Sequence, residues 1–99
     1  MGCSASLISV DLAKSLLSAH PNSTAVVIST ENLTQNLYGG NERAFLLQNT
    51  LFRVGGAAML FSNRLSAGFS AKYKLLHLQR VQNTSDEGLN CVYETQDKE

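Results

Sequence analysis

The first thirty residues constrain the fold most, because they combine a helical repeat, a helix stop and an uncharged β-branched run. Apolar residues recur every three to four positions through residues 5–19, as at Leu12 and Leu16, which predicts an amphipathic helix. Pro21 ends this helix, since the residue before a proline is pushed out of the helical region. Residues 24–30 then predict a strand covered on both faces, as in a parallel sheet. A helix that turns tightly into a buried strand indicates half of a β-α-β unit, and therefore an α/β fold.

The rest of the chain predicts a further alternation of helices, strands and loops. We expect a loop with one helical turn at 31–42, a helix at 43–53, a second buried strand at 57–62, a turn region at 63–70, a third strand at 73–81, a polar loop at 82–89 and a short fourth strand at 90–93. Gly55 and Gly56 are expected to allow close packing of helix on strand, because no phosphate-binding fingerprint accompanies them. The strand that should precede the first helix is missing, so we do not expect Met1 to be a natural domain start.

Size and composition exclude several classes of protein. Ninety-nine residues suffice for one small domain. Eight basic residues balance eight acidic ones, which argues against a nucleic-acid partner. The longest uncharged run, 15–30, is interrupted at 20–23 and is shorter than the roughly 20 apolar residues of a membrane span. Cys3 and Cys91 lie at opposite ends without a signal peptide, which predicts free thiols; with two histidines remote from them, no metal-ligand set is expected.

Cys3 is the clearest candidate for a chemically reactive residue. It stands directly before the first helix, where unpaired backbone N–H groups and a partial positive charge favour thiolate over thiol. This position predicts a nucleophile for acyl transfer. The same residues fit a second hypothesis, in which Gly2 is myristoylated, with Ser6 at the favoured position, and Cys3 is palmitoylated. The chain would then be a small lipid-anchored binding protein, and these residues alone leave both interpretations open.

Longer segments carry a resemblance to a known family. They are MGCSA at 1–5, LISVDLAK at 7–14, HPNS at 20–23, VVISTEN at 26–32, NER at 41–43, NTLFRVGGAA at 49–58, SNR at 62–64 and AKYKL at 71–75. In register over nearly the whole chain, they resemble the plant 3-ketoacyl-CoA synthases. These condensing enzymes elongate very-long-chain fatty acids and belong to the thiolase-like superfamily.

The resemblance implies an acyltransferase in which Cys3 is the nucleophile. Cys3 would accept a long-chain acyl group from acyl-CoA and pass it to the carbanion of decarboxylated malonyl-CoA, giving 3-oxoacyl-CoA. Its backbone N–H would be one donor to the oxyanion, and no cofactor beyond the two CoA substrates is implied. The implied fold is a partial thiolase-like one, with α-β-α layers, incomplete at both ends. Residues 1–99 would be the part of the condensing domain that carries the nucleophile.

The resemblance also assigns weaker roles and marks departures. Glu31 and Phe52 match positions that line the cavity or its neck in related enzymes, although a strand-end carboxylate and a core aromatic are the plainer interpretations. The histidine and asparagine that the family needs downstream are missing, so we expect the 99 residues alone to be inactive. His20 is expected to be a solvated residue at the helix end, and His77 a strand histidine bonded to its neighbours. Gln82 stands where the family usually has a second histidine.

Family membership would also set the cellular context. It implies that the parent enzyme is a homodimer within a membrane elongase complex of the endoplasmic reticulum. The present residues contain no membrane span. Their own location is therefore left open between that membrane and the cytoplasm. A truncated gene model or a decayed gene copy would explain such a chain, and half a sheet would fold poorly on its own.

Overall fold

The chain folds as one long helix packed on a two-stranded sheet, followed by shorter helical segments. A computed structural model describes residues 2–82 and 84–98. The elements in chain order are α1 (Ala5–Ala19), β1 (Thr24–Glu31), α2 (Arg43–Leu51), β2 (Gly55–Ser62) and α3 (Asp86–Asn90), with 3₁₀ segments at Gly2–Ser4, Thr34–Asn36 and Leu65–Phe69. The α/β class is as predicted.

Helix α1 has the bounds that the sequence predicts. Its last turn closes with the backbone N–H of His20 donating to the carbonyl oxygen of Leu16 over 2.9 Å. His20 itself has extended backbone, as required before Pro21, so the proline fixes the helix end. The helix buries Val10 and Ala13, which lie on the side that packs against β1.

Strands β1 and β2 pair antiparallel, so the predicted parallel sheet is wrong. The register runs from Thr24 opposite Ser62 to Glu31 opposite Gly55. In a parallel pair the connection must carry the chain back along a strand of eight residues, about 26 Å. Here residues 32–54, which contain α2, leave β1 at Glu31 and enter β2 at its partner Gly55, so they form a loop at one end of the strand pair and not a crossover. The uncharged sequence of β1 indicates burial, and burial does not determine strand direction.

Only one face of the sheet is covered by the described chain. Val27 of β1 is buried beneath α1, at 7% exposure. On the opposite face Val26, Ile28 and Leu60 are 59%, 72% and 73% exposed. The sequence predicts a strand covered on both faces, whereas within residues 2–82 and 84–98 this strand is covered on one.

The buried core is correspondingly small. Among the described residues, the buried apolar side chains are Val10, Ala13 and Val27. The radius of gyration is 18.5 Å, against about 13 Å for a compact domain of 100 residues. Most of the apolar side chains that would form a core therefore lie at the surface.

A separate cluster of contacts holds the connection between the strands. The Asn49 side chain donates from Nδ2 to the carbonyl oxygen of Tyr38 over 2.8 Å and accepts from the Tyr38 backbone N–H over 3.1 Å. The rings of Tyr38 and Phe45 lie 5.1 Å apart between centroids. Helix α2 ends two residues earlier than predicted, at Leu51, and the helical turn expected in the loop is found at Thr34–Asn36.

The C-terminal third differs from the prediction. Residues 73–81 alternate in polarity but form no strand, and residues 90–93 form none either. A strand needs a neighbour for its backbone hydrogen bonds, and polarity alternation alone does not supply one. The predicted polar loop instead contains α3, which is capped by Ser85: its hydroxyl oxygen accepts from the backbone N–H of Gly88 over 3.2 Å. No helix of the described residues is both long and apolar enough to cross a membrane.

Candidate active site

Cys3 lies where the sequence places it, at the entrance to α1. It is the central residue of the 3₁₀ turn Gly2–Ser4, and its thiol is free and exposed. Gly2 has a φ of 50°, a left-handed conformation that suits glycine, and this directs the chain into the turn. The first turn of α1 carries no acidic side chain. A partial positive charge beside an exposed thiol is the setting in which proteins use cysteine as a nucleophile.

An open groove of about 390 Å³ lies between the start of α1 and the adjacent end of the sheet. We call it the α1 groove. Its lining residues are small or strand-end residues: Ala5, Ser6, Ser9, Ile28, Ser29, Thr30, Glu31, Gly55, Gly56 and Ala57. Cys3 is only two residues ahead of Ala5, so the thiol and the groove share one end of α1. Cys3 itself is not among the residues that line the groove.

Glu31 and Phe52, both predicted to bind substrate, lie in different places. Glu31 is the last residue of β1, is exposed and lines the α1 groove. Phe52 follows α2 and lines a smaller cavity of about 50 Å³ with Leu33, Leu37 and other residues of the connection. The structure thus brings Glu31, but not Phe52, to the α1 groove.

Gly55 and Gly56 begin β2 and keep one wall of the groove free of side chains. A Cβ at Gly56 would lie 3.3 Å from the carbonyl oxygen of Ser29, whereas one at Gly55 would meet nothing within 4 Å. The close approach at Gly56 is between strands, so the predicted helix–strand role of this pair is corrected to strand pairing. Gly55 instead faces open space.

The histidines lie away from Cys3 or outside regular structure. His20 is exposed at the C-terminal end of α1, as predicted, and the 15 residues of that helix put about 22 Å between its two ends. His77 is exposed in a segment without a strand, so its predicted place on a strand is wrong. Neither histidine lines the α1 groove. Across residues 2–82 and 84–98, no group of three or more His, Cys, Asp or Glu residues could hold a metal ion.

Sequence reasoning missed Asn63, which follows β2. Its Nδ2 donates to the carbonyl oxygens of Leu17 over 2.5 Å and of His20 over 2.8 Å. Its Oδ1 accepts from the backbone N–H of Ser23 over 2.6 Å, and its own N–H donates to the Ser23 carbonyl oxygen over 3.2 Å. One side chain therefore joins the end of α1, the turn and the start of β1.

The neighbours of Asn63 bind the same turn. The Ser62 hydroxyl donates to the Ser23 carbonyl oxygen, and Arg64 Nε donates to that of Asn22, each over 3.1 Å. Asn22 has a φ of 55°, so this turn includes a left-handed residue. We call the contacts of residues 62–64 with the end of α1 and this turn the Asn63 clamp. The segment SNR contributes to the family resemblance, but an asparagine after a strand indicates only a turn.

Comparison with known proteins identifies the family. The family model described as FAE1/Type III polyketide synthase-like protein matches residues 1–99. The chain is 62% identical over 99 residues to 3-ketoacyl-CoA synthase 5 of Arabidopsis thaliana, with 99% of the chain and 20% of that protein covered. It is 59% identical over 100 residues to 3-ketoacyl-CoA synthase 6 of the same plant, with 100% of the chain and 20% of that protein covered.

A third relative gives the same result. Identity to 3-ketoacyl-CoA synthase 2 of Arabidopsis thaliana is 55% over 100 residues, covering 100% of the chain and 19% of that protein. The chain therefore spans about one fifth of the length of the curated relatives it matches. A comparison with solved structures found no match. Since the family model covers the whole sequence, this chain belongs to the FAE1/type III polyketide synthase-like family.

Proposed function

We propose that this chain supplies the nucleophilic cysteine of a fatty acid elongation enzyme that condenses long-chain acyl-CoA with malonyl-CoA to 3-oxoacyl-CoA. The observation that carries the proposal is the position of Cys3, exposed in the turn that leads into α1 and two residues before Ala5, which lines the α1 groove. The high identity to proteins named 3-ketoacyl-CoA synthase supports this substrate class.

The reaction proceeds in two transfers at the Cys3 sulfur. The thiolate attacks the thioester carbonyl, the bond to the CoA sulfur breaks, and CoA leaves as a thiolate that takes up a proton. Malonyl-CoA then loses carbon dioxide, and its carbanion attacks the acyl-cysteine carbonyl. As the new carbon–carbon bond forms, the bond between the acyl carbon and the Cys3 sulfur breaks, which gives 3-oxoacyl-CoA and restores the Cys3 thiolate. The backbone N–H of Cys3 is one donor to the oxyanion that forms at each attack.

The α1 groove holds the thioester end of the substrate in this proposal. Its small side chains leave room for an extended chain, and Glu31 bounds it at the end of β1. Phe52 contributes to substrate binding at a different point, because it lines a separate cavity. No cofactor takes part, since both transfers use only the sulfur and the two CoA thioesters.

We further propose that the chain is one part of a thiolase-like condensing domain with α-β-α layers. The exposed apolar residues on the outer sheet face, with Leu7 and Leu12 of α1 at 65% and 59% exposure, suit elements covered from both sides. The same family context suggests a homodimeric parent enzyme in an elongase complex of the endoplasmic reticulum membrane. The alternative of a lipid anchor on Gly2 and Cys3 finds no support in the comparisons.

Acylation of Cys3 tests the proposal. Two single variants that each keep one thiol are incubated with a long-chain acyl-CoA, and their intact masses are measured: Cys91→Ser keeps Cys3, and Cys3→Ser keeps Cys91. We expect the mass of the Cys91→Ser chain to rise by one acyl group and the Cys3→Ser chain to remain unmodified. An unacylated Cys91→Ser chain, or equal acylation of Cys91 in the Cys3→Ser chain, would overturn the proposal. With malonyl-CoA added, we expect no 3-oxoacyl-CoA, because neither histidine lines the groove.

A further inference from the structure

The apolar contact between α1 and the sheet does not by itself fix the orientation of the helix. Its buried part consists of Val10, Ala13 and Val27, which are small apolar side chains. Apolar contact is non-directional, so three such residues permit the helix to tilt and slide on the strands at little cost. Hydrogen bonds, by contrast, fix both distance and angle.

The hydrogen bonds of the Asn63 clamp fix this orientation at the C-terminal end of α1. The Leu17 carbonyl belongs to the last turn of the helix, where carbonyl groups have no partner within the helix. Asn63 binds it while holding the N–H and the carbonyl of Ser23 at the start of β1. The helix axis is therefore tied to the sheet through one planar amide.

The opposite end of the same helix carries Cys3. Since α1 is about 22 Å long, a rotation of about 3° around the clamped end moves its first residues by about 1 Å. Misplacement of a reacting group by about 1 Å can slow a reaction about 100-fold. We infer that Asn63 is a positioning residue for Cys3: by fixing α1 on β1 and β2, it sets where the start of that helix, and the turn that carries the sulfur, lies relative to the α1 groove. This inference rests on the proposed function of Cys3.

Two reactions of the Cys3 thiol separate positioning from general damage. Iodoacetamide is small and needs no groove, whereas a long-chain acyl-CoA must lie between α1 and the sheet. In the Cys91→Ser background we expect Asn63→Ala to slow acylation about tenfold or more and to leave alkylation within about twofold. The matched control is Asn90→Ala, which removes an exposed asparagine–backbone hydrogen bond, from Asn90 Nδ2 to the Asp86 carbonyl oxygen within α3. It should change neither rate. Equal slowing of both reactions by Asn63→Ala, or unchanged acylation, would refute a positioning role.

A distance measurement tests the clamp independently of acyl transfer. In the Cys91→Ser background, spin labels are attached to Cys3 and to position 60 through Leu60→Cys, an exposed site on the outer sheet face, and their distance distribution is recorded by pulsed electron resonance. We expect a narrow distribution in the parent and in Asn90→Ala, and a broader one in Asn63→Ala. An unchanged width would overturn the inference. If the Cys91→Ser parent is not acylated, the proposed function fails. The width of the distance distribution then tests by itself whether Asn63 fixes α1 on the sheet. If circular dichroism shows that Asn63→Ala is unfolded, Asn63→Asp takes its place, since it keeps the acceptor for Ser23 and loses both donated bonds.

Discussion

The side-chain amide of Asn63 donates to the carbonyl oxygen of His20 over 2.8 Å, although 43 residues separate the two in the sequence. This bond joins the end of β2 to the end of α1, and it makes the stability of the helix–sheet unit depend on a polar residue outside both elements. Four predictions follow from this unit and its surroundings.

Asn63→Ala should lower the free energy of unfolding by about 1–2 kcal/mol, because the partly exposed carbonyls of Leu17 and His20 lose their donor. Urea titration monitored by circular dichroism measures the change. Asn90→Ala is the control: Asn90 donates to the Asp86 carbonyl within the short helix α3, and its loss should cost less than about 0.5 kcal/mol. Equal losses would contradict a special role for the clamp.

Val27→Ala should destabilise the fold by about 1–3 kcal/mol, because Val27 is buried beneath α1. Its neighbour Val26 points to the uncovered face, so Val26→Ala should cost no more than about 0.5 kcal/mol. The same titration compares the two. If the Val26 variant proved the less stable, the assignment of inner and outer sheet faces would be wrong.

Ile28→Lys should reduce self-association of the chain. Ile28 lies with Val26 and Leu60 on the uncovered apolar face, and such faces promote association in water. Sedimentation velocity at increasing concentration shows the effect as a lower proportion of large species. Thr30→Lys adds the same charge to the same face at a polar position and should have a smaller effect.

Gly55→Val should block acylation of Cys3 while leaving the fold intact, because its side chain enters the open part of the α1 groove. Gly56→Val should instead destabilise the sheet, since its Cβ would lie 3.3 Å from the Ser29 carbonyl oxygen. Acyl adducts measured by mass, with thermal unfolding of each variant, distinguish the two. Normal acylation of a folded Gly55→Val chain would show that the substrate does not use this groove.

The sequence predicts the bounds of α1, because Pro21 marks a boundary that depends on neighbouring residues alone, and it predicts both strands, although β2 begins at Gly55, two residues before the predicted start at 57. It predicts neither the direction of β2 nor the fate of residues 73–81, since both depend on which strands are available as partners. The same distinction applies to the site. Cys3 could be placed because it precedes a helix, whereas the clamp joins residues about 40 positions apart, and no local pattern indicates it.

The antiparallel register also determines which part of the chain can change length during evolution. Because Glu31 and Gly55 are paired, the segment between them leaves β1 and enters β2 at the same end of the sheet. Doubling the length of such a loop costs only about 0.6 kcal/mol in closure entropy. Insertions and deletions there would reshape the end of the α1 groove that Glu31 and Gly55 line, while the strand pair and helix α1 keep their geometry. Under the proposed function, substrate preference can thus diversify without rebuilding the turn that carries Cys3.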